Sequence, residues 1–122
     1  KFQVFSGTEE FLRKNLIAGG CGTITAVANV NASAIRVAYD NFQNDKGEQN
    51  QLAITRRRKI IQSQPMIPAL KSIIATITGD DNWRRVRPPL EPLSIVNTNS
   101  LVKSLTEDGY LPISSVPDYK VS

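Results

Sequence analysis

Residues 22–30, Gly-Thr-Ile-Thr-Ala-Val-Ala-Asn-Val, are almost continuously apolar or small, and they lie between Gly19-Gly20-Cys21 and Asn31. A strand covered on one face alternates apolar and polar residues. This run does not, which predicts a strand buried on both faces, as at the centre of a parallel sheet flanked by helices. Upstream, Lys1 to Phe5 reads as a short strand and Ser6-Gly7-Thr8 as the turn after it. Ser6 with Glu9 three positions on matches a capping box. Phe11, Leu12, Leu16 and Ile17 then recur at helical spacing until Gly19-Gly20 stops the helix. Strand, helix, glycine turn and strand in that order make one βαβ unit.

Beyond it, Asn31 or Ser33 can cap a helix carrying Ile35, Ala38, Tyr39 and Phe42, and Asn44-Asp45-Lys46-Gly47 is a turn. A polar helix is expected from about Glu48 to Gln64, anchored by Leu52, Ile60 and Ile61 and broken at Pro65-Met-Ile-Pro68. Pro68 suits the start of the next helix, whose apolar stripe is Leu70, Ile73, Ile74 and Ile77, ended by Gly79. Asp80 or Asp81 can cap a short turn holding Trp83. Three prolines make Arg87 to Leu93 extended, and this stretch is expected as an arm packed on the domain. Ser100 can cap a last helix through Asp108, with Gly109 as its stop, and Leu111 to Ser122 reads as a loosely held tail. Two parallel strands cannot close their own edges, so further strands must come from elsewhere, most simply from sequence upstream.

A length of 122 residues with 40% apolar content suits one domain. No run approaches the ~20 apolar residues of a membrane span, and no signal peptide is present, so a cytoplasmic protein without membrane contact is expected. The chain opens at Lys1 without methionine and enters a strand at once, as a piece of a longer protein would. One cysteine and no histidine exclude an internal disulfide, His–Cys zinc sites, and Ser-His-Asp or Cys-His nucleophiles. Cys21, at a glycine turn, reads as a packing thiol rather than a reactive one. The net charge of +4 is bunched at Arg56-Arg57-Arg58-Lys59 and Arg84-Arg85-Val86-Arg87. Such runs can bind nucleic acid. Neither interleaves aromatics, so a solvated helix face or an interface ion-pair cluster is expected instead, with no nucleic-acid partner.

Four stretches occur in one order: Phe5-Ser-Gly-Thr-Glu-Glu10, Ala18-Gly-Gly-Cys-Gly-Thr-Ile-Thr-Ala-Val-Ala-Asn-Val30, Ile67-Pro-Ala-Leu-Lys71 and Arg87-Pro-Pro-Leu-Glu-Pro-Leu93. Together they resemble the C-terminal part of the dihydrodipicolinate synthase and N-acetylneuraminate lyase family, pyruvate-handling class I aldolases on a TIM barrel. The fold class implied is α/β: the last two βα units of the (β/α)8 barrel in residues 1–43, a C-terminal helical extension with the proline-rich arm in 44–110, and a tail in 111–122. Phe2 to Ser6 would be the seventh strand and Thr8 to Ala18 its helix. Thr23 to Val30 would be the eighth strand and Asn31 to Phe42 the eighth helix.

In such barrels the chemistry gathers at the C-terminal ends of the strands. The resemblance implies a lysine on the sixth strand forming a Schiff base with pyruvate or another 2-keto acid, with no metal or other cofactor. That lysine would lie upstream, so no catalytic residue is expected in this chain and the 122 residues alone are expected to be inactive. Lys14, Lys59 and Lys71 fall on expected helices and Lys46 on an exposed turn, where nothing would depress an amine pKa. What remains is lining. Gly7 matches the glycine that leaves room beside the keto acid, Thr8 lies in the same turn, and Ile24 matches the residue whose backbone borders the pyruvate pocket. Glu9 stands where sialic-acid lyases set an acid against sugar hydroxyls, or else it is a helix-capping carboxylate. Ala26 replaces those lyases' usual serine, which counts against a sialic-acid substrate, and Arg87-Pro-Pro-Leu90 resembles the family's sugar-acid aldolases. Family members are commonly homotetramers. The alternatives are dihydrodipicolinate synthase proper, joining pyruvate to aspartate semialdehyde, and a non-catalytic binding or assembly module.

Overall fold

The computed structural model describes residues 2–110. The expected tail, 111–122, lies outside them. Two compact units divide the chain, one ending at Lys59 and the other beginning at Ile60.

The first unit opens with strand β1, Phe5–Ser6, which pairs in parallel with β2, Gly22–Thr23, in the register Phe5 to Gly22 and Ser6 to Thr23. Flanking backbone bonds from Cys21 N to the Val4 carbonyl (2.8 Å) and from Ile24 N to the Ser6 carbonyl (3.0 Å) lengthen the pairing. Side chains reinforce it. Thr23 Oγ1 donates to the Ser6 carbonyl at 2.9 Å, and Asn15 Nδ2 donates to the carbonyls of Val4 (3.1 Å) and Gly22 (2.7 Å). Between the strands lie a 3₁₀ turn, Glu9–Phe11, and helix α1, Leu12–Ile17. The expected βαβ order is therefore present.

Its details differ. The capping box is not used: Ser6 belongs to β1 and its hydroxyl turns to the Gly22 carbonyl, while Thr8 caps the 3₁₀ turn by accepting from Glu10 N. The long buried strand over 22–30 is also absent. β2 ends at Thr23, Ile24 is 73% exposed, and helix α2 begins at Ala28 and runs to Asp40. An apolar run of this length does not distinguish a buried strand from a helix start by periodicity. Thr25 decides the matter locally, because its hydroxyl accepts from Val27 N and bends the chain. Val27, wholly buried, already has helical dihedrals. Asn31 leaves the helical region (φ −133°, ψ 25°) and kinks α2, so the expected helix beyond Asn31 exists, preceded by an extra turn.

Helix α3, Gly47–Ile61, follows. In the first unit, Leu12 and Leu16 of α1, Ile35 and Ala38 of α2 and Ile54 of α3 form the core, with Tyr39 and Phe42 against it. Ile54, not the expected Leu52, anchors α3; Leu52 is 59% exposed. Gly47 sits where the chain turns into α3, and a Cβ there would lie 2.6 Å from the Phe42 carbonyl oxygen. Only glycine fits.

In the second unit, α4 spans Met66–Thr78 and is closed by Gly79 in the left-handed conformation (φ 69°), whose N–H returns to the Ala75 carbonyl. Pro65 precedes it and Pro68 lies in its first turn, where no intrahelical N–H is required. A 3₁₀ turn, Asp81–Arg84, is capped by Asp80. Helix α5, Ile95–Glu107, is capped six residues before the expected Ser100, because Ser94 accepts from Asn97 N. The expected anchor Ile61 at the end of α3, Ala69, Leu70, Ile73 and Ala75 of α4, and Leu101 and Leu105 of α5 are among this unit's buried apolar residues. Residues 87–92, expected to pack down as an arm, are exposed. One leucine among prolines and charges offers little apolar area to bury.

Candidate functional site at the ends of the paired strands

Parallel pairing sends the C-terminal ends of β1 and β2 the same way, so the turns that leave them are neighbours. Gly7 and Thr8 leave β1; Ile24 and Thr25 leave β2. Gly7 is exposed, and a Cβ added to it would meet nothing within 4 Å. Ile24 projects from the end of its strand into open space. Thr8 is held by its capping bond.

Glu9 is different in kind. Its residue is 0% exposed, and its Oε2 accepts from Thr25 Oγ1 at 2.6 Å and from Arg58 Nη1 at 2.9 Å. The same Nη1 lies 3.2 Å from Thr25 Oγ1, to which it donates, and Arg58 Nε lies 3.5 Å from Glu10 Oε2. One guanidinium thus counters two carboxylates and ties together the turns that follow both strands. A carboxylate this deeply buried needs such a partner, since an isolated charge there would be costly. Among the described residues the other oxygen, Oε1, has no hydrogen-bond partner.

Helix α3 supplies the rest of the hold. Gln51 Nε2 donates to the carbonyls of Glu9 (2.8 Å) and Glu10 (3.1 Å) and to Thr55 Oγ1 (3.0 Å), while its Oε1 accepts from Arg13 N (2.9 Å). Gln51, Thr55 and Arg58 share one helix face. Arg57 Nη1 donates to Oδ1 of the buried Asn31 at 2.9 Å, the kink residue of α2. The basic run 56–59 is therefore not simply a solvated face: two of its arginines turn inward.

Of the four residues singled out from sequence, all lie at this end of the sheet, and Glu9 is joined to Thr25 beside Ile24. Arg58, Gln51, Thr25 and Asn31 were missed. Arg58 lies 49 positions from Glu9, and no local pattern connects them. Lys14, Lys46 and Lys59 are exposed, Lys71 is half-buried within α4, and none of these four lies on a strand. Cys21 is half-buried at the start of β2. Among the described residues no three His, Cys, Asp or Glu side chains cluster as metal ligands, and no helix is long and apolar enough to cross a membrane.

Parallel βα units with their turns gathered at one end are the working face of α/β enzymes. Over residues 1–108 the sequence matches the dihydrodipicolinate synthetase family, and the chain belongs to that family. Curated proteins offer no match by sequence. Among solved structures, the chain is similar to YagE, a prophage protein of the dihydrodipicolinic acid synthase family from E. coli K12 solved with pyruvate (TM-score 0.78, 20% identity). It is similar also to the dihydrodipicolinate synthase of Thermotoga maritima (TM-score 0.74, 25% identity) and to a monomeric dihydrodipicolinate synthase variant (TM-score 0.74, 25% identity). In each case 90% of this chain is covered, but only 37–38% of the other. The chain thus spans well under half the length of the structures it resembles.

Proposed function

We propose that this chain supplies the last two βα units and the C-terminal helical extension of a TIM barrel that makes or cleaves a pyruvate aldol. Residues 1–43 are the barrel units, 44–110 the extension and 111–122 the tail. A lysine on an upstream strand forms the Schiff base: its amine adds to the keto carbon, water leaves, and the iminium takes up the electron pair of the adjacent carbon–carbon bond. The chain's own contribution is the wall of the pocket. Gly7 leaves room for the keto acid, the backbone at Ile24 borders it, Thr8 fixes the turn between them, and Glu9 acts from behind through Thr25.

The observation that carries this reading is the pairing of the Gly7–Glu9 turn with the Ile24–Thr25 turn at one end of a parallel sheet, in a chain of this family. Placement of the lysine elsewhere is supported by Lys14, Lys46, Lys59 and Lys71, none of which lies on a strand. The pyruvate complex of YagE supports the choice of keto acid.

The test is intact mass of the whole protein before and after pyruvate with borohydride. A reduced pyruvate adduct on a polypeptide well above 13.5 kDa supports the aldolase. Folded full-length protein that takes up no adduct overturns it and leaves a binding or assembly module. The 122 residues alone are expected to give no adduct.

A further inference from the structure

Arg58 lies outside both pocket-lining turns, on a helix of the segment assigned to the extension. We propose that Arg58 is a positioning residue that keeps the pocket wall hospitable to an anionic keto acid, an inference that rests on the aldolase reading. Pyruvate carries a carboxylate. Its proposed pocket is bordered by a turn bearing two adjacent carboxylates, Glu9 and Glu10, which would repel it. Arg58 offsets one of those two charges: Nη1 lies 2.9 Å from Glu9 Oε2, and Nε lies 3.5 Å from Glu10 Oε2. Its side chain is only 16% exposed and that of Glu9 is 0% exposed, so solvent screens the pair weakly.

The same guanidinium fixes the geometry. By donating to Thr25 Oγ1 as well as to Glu9, it ties the turn after β1 to the turn after β2. Gln51 and Arg57 add holds from the same helix, on the Glu9 and Glu10 carbonyls and on Asn31. Helix α3 therefore sets both the charge and the spacing of the two turns.

The experiment uses the full-length protein, with borohydride-trapped pyruvate adduct measured against pyruvate concentration. Arg58→Gln is expected to raise the half-saturating pyruvate concentration about tenfold by exposing the carboxylates' charge. Adding Glu9→Gln to Arg58→Gln is expected to bring that concentration back toward wild type, which a purely structural arginine would not allow. Arg58→Lys keeps the charge but not the fork that spans Glu9, Thr25 and Glu10, so its half-saturation is expected to fall between wild type and Arg58→Gln, and a rise as large as that of Arg58→Gln would overturn the proposal. So would folded Arg58→Gln with unchanged pyruvate dependence, or a defect that Glu9→Gln leaves uncorrected. Failure of the wild type itself to trap pyruvate is a different result: it sinks the aldolase reading beneath the inference.

Discussion

The Arg58 guanidinium and the Glu9 carboxylate meet at 2.9 Å inside the first unit, although 49 positions separate them in sequence. Breaking a buried pair of this kind strands one charge, so Arg58→Met in the whole protein is expected to cost about 3–5 kcal/mol of stability. Glu9→Gln/Arg58→Met should cost clearly less than the sum of its two single substitutions. Denaturant unfolding of the four members of this cycle decides it; strict additivity would mean the pair is not coupled.

Core and surface positions of α3 should separate cleanly. Ile54→Ala removes a side chain that is 1% exposed and should cost about 2–5 kcal/mol. Leu52→Ala, on the exposed side, should stay within about 0.5 kcal/mol. Equal effects in thermal melts would contradict the burial of Ile54 and the exposure of Leu52.

Gly47→Ala places a methyl group 2.6 Å from the Phe42 carbonyl oxygen. The start of α3 must then shift, at an expected cost of about 1–3 kcal/mol. Since Gln51, Thr55 and Arg58 move with the helix, amide exchange over residues 9–12 should quicken as well. Unchanged exchange would show that the helix start and the turn after β1 are independent.

Gly7→Ala tests the pocket wall without touching the fold. Its new methyl meets nothing within 4 Å, so stability should change by no more than about 0.5 kcal/mol. Pyruvate trapping should nevertheless weaken. Trapping indistinguishable from wild type would remove Gly7 from the pocket.

The cap of α5 offers a comparison confined to the second unit. Ser94 accepts from Asn97 N, so Ser94→Ala should destabilise by about 1 kcal/mol. Ser100, exposed within the helix, should tolerate alanine within about 0.5 kcal/mol. The reverse order of midpoints would restore the shorter helix that the sequence suggests.

Local chemistry was legible where it is local. Gly79 and Gly109 close helices in positive-φ conformations, Asp80 caps its turn, and the glycines before Cys21 separate helix from strand. The strand ending at Thr23 was not legible, because Thr-Ala-Val-Ala serves a helix entrance as well as a buried strand. Ile54 was not singled out because Leu52-Ala53-Ile54 is an apolar triplet whose inward member periodicity alone does not choose, although Gln51, Thr55 and Arg58 stand at the spacing of one helix face. That stripe was the available sign that α3 presents polar groups to protein and not only to water. What they meet, a carboxylate and two carbonyls far upstream, depends on tertiary contacts that no window of sequence contains.

The long separation of Glu9 from Arg58 also imposes an order on assembly. During synthesis, β1, α1 and β2 emerge before α3, and Asn15 can already bind the carbonyls of Val4 and Gly22. Arg58, the cation paired with Glu9 among the described residues, arrives only when α3 has left the ribosome and docked. Both strand-end turns thus gain their full set of holds only once α3 is in place, so the proposed pocket wall depends on a helix more than 20 positions downstream of β2.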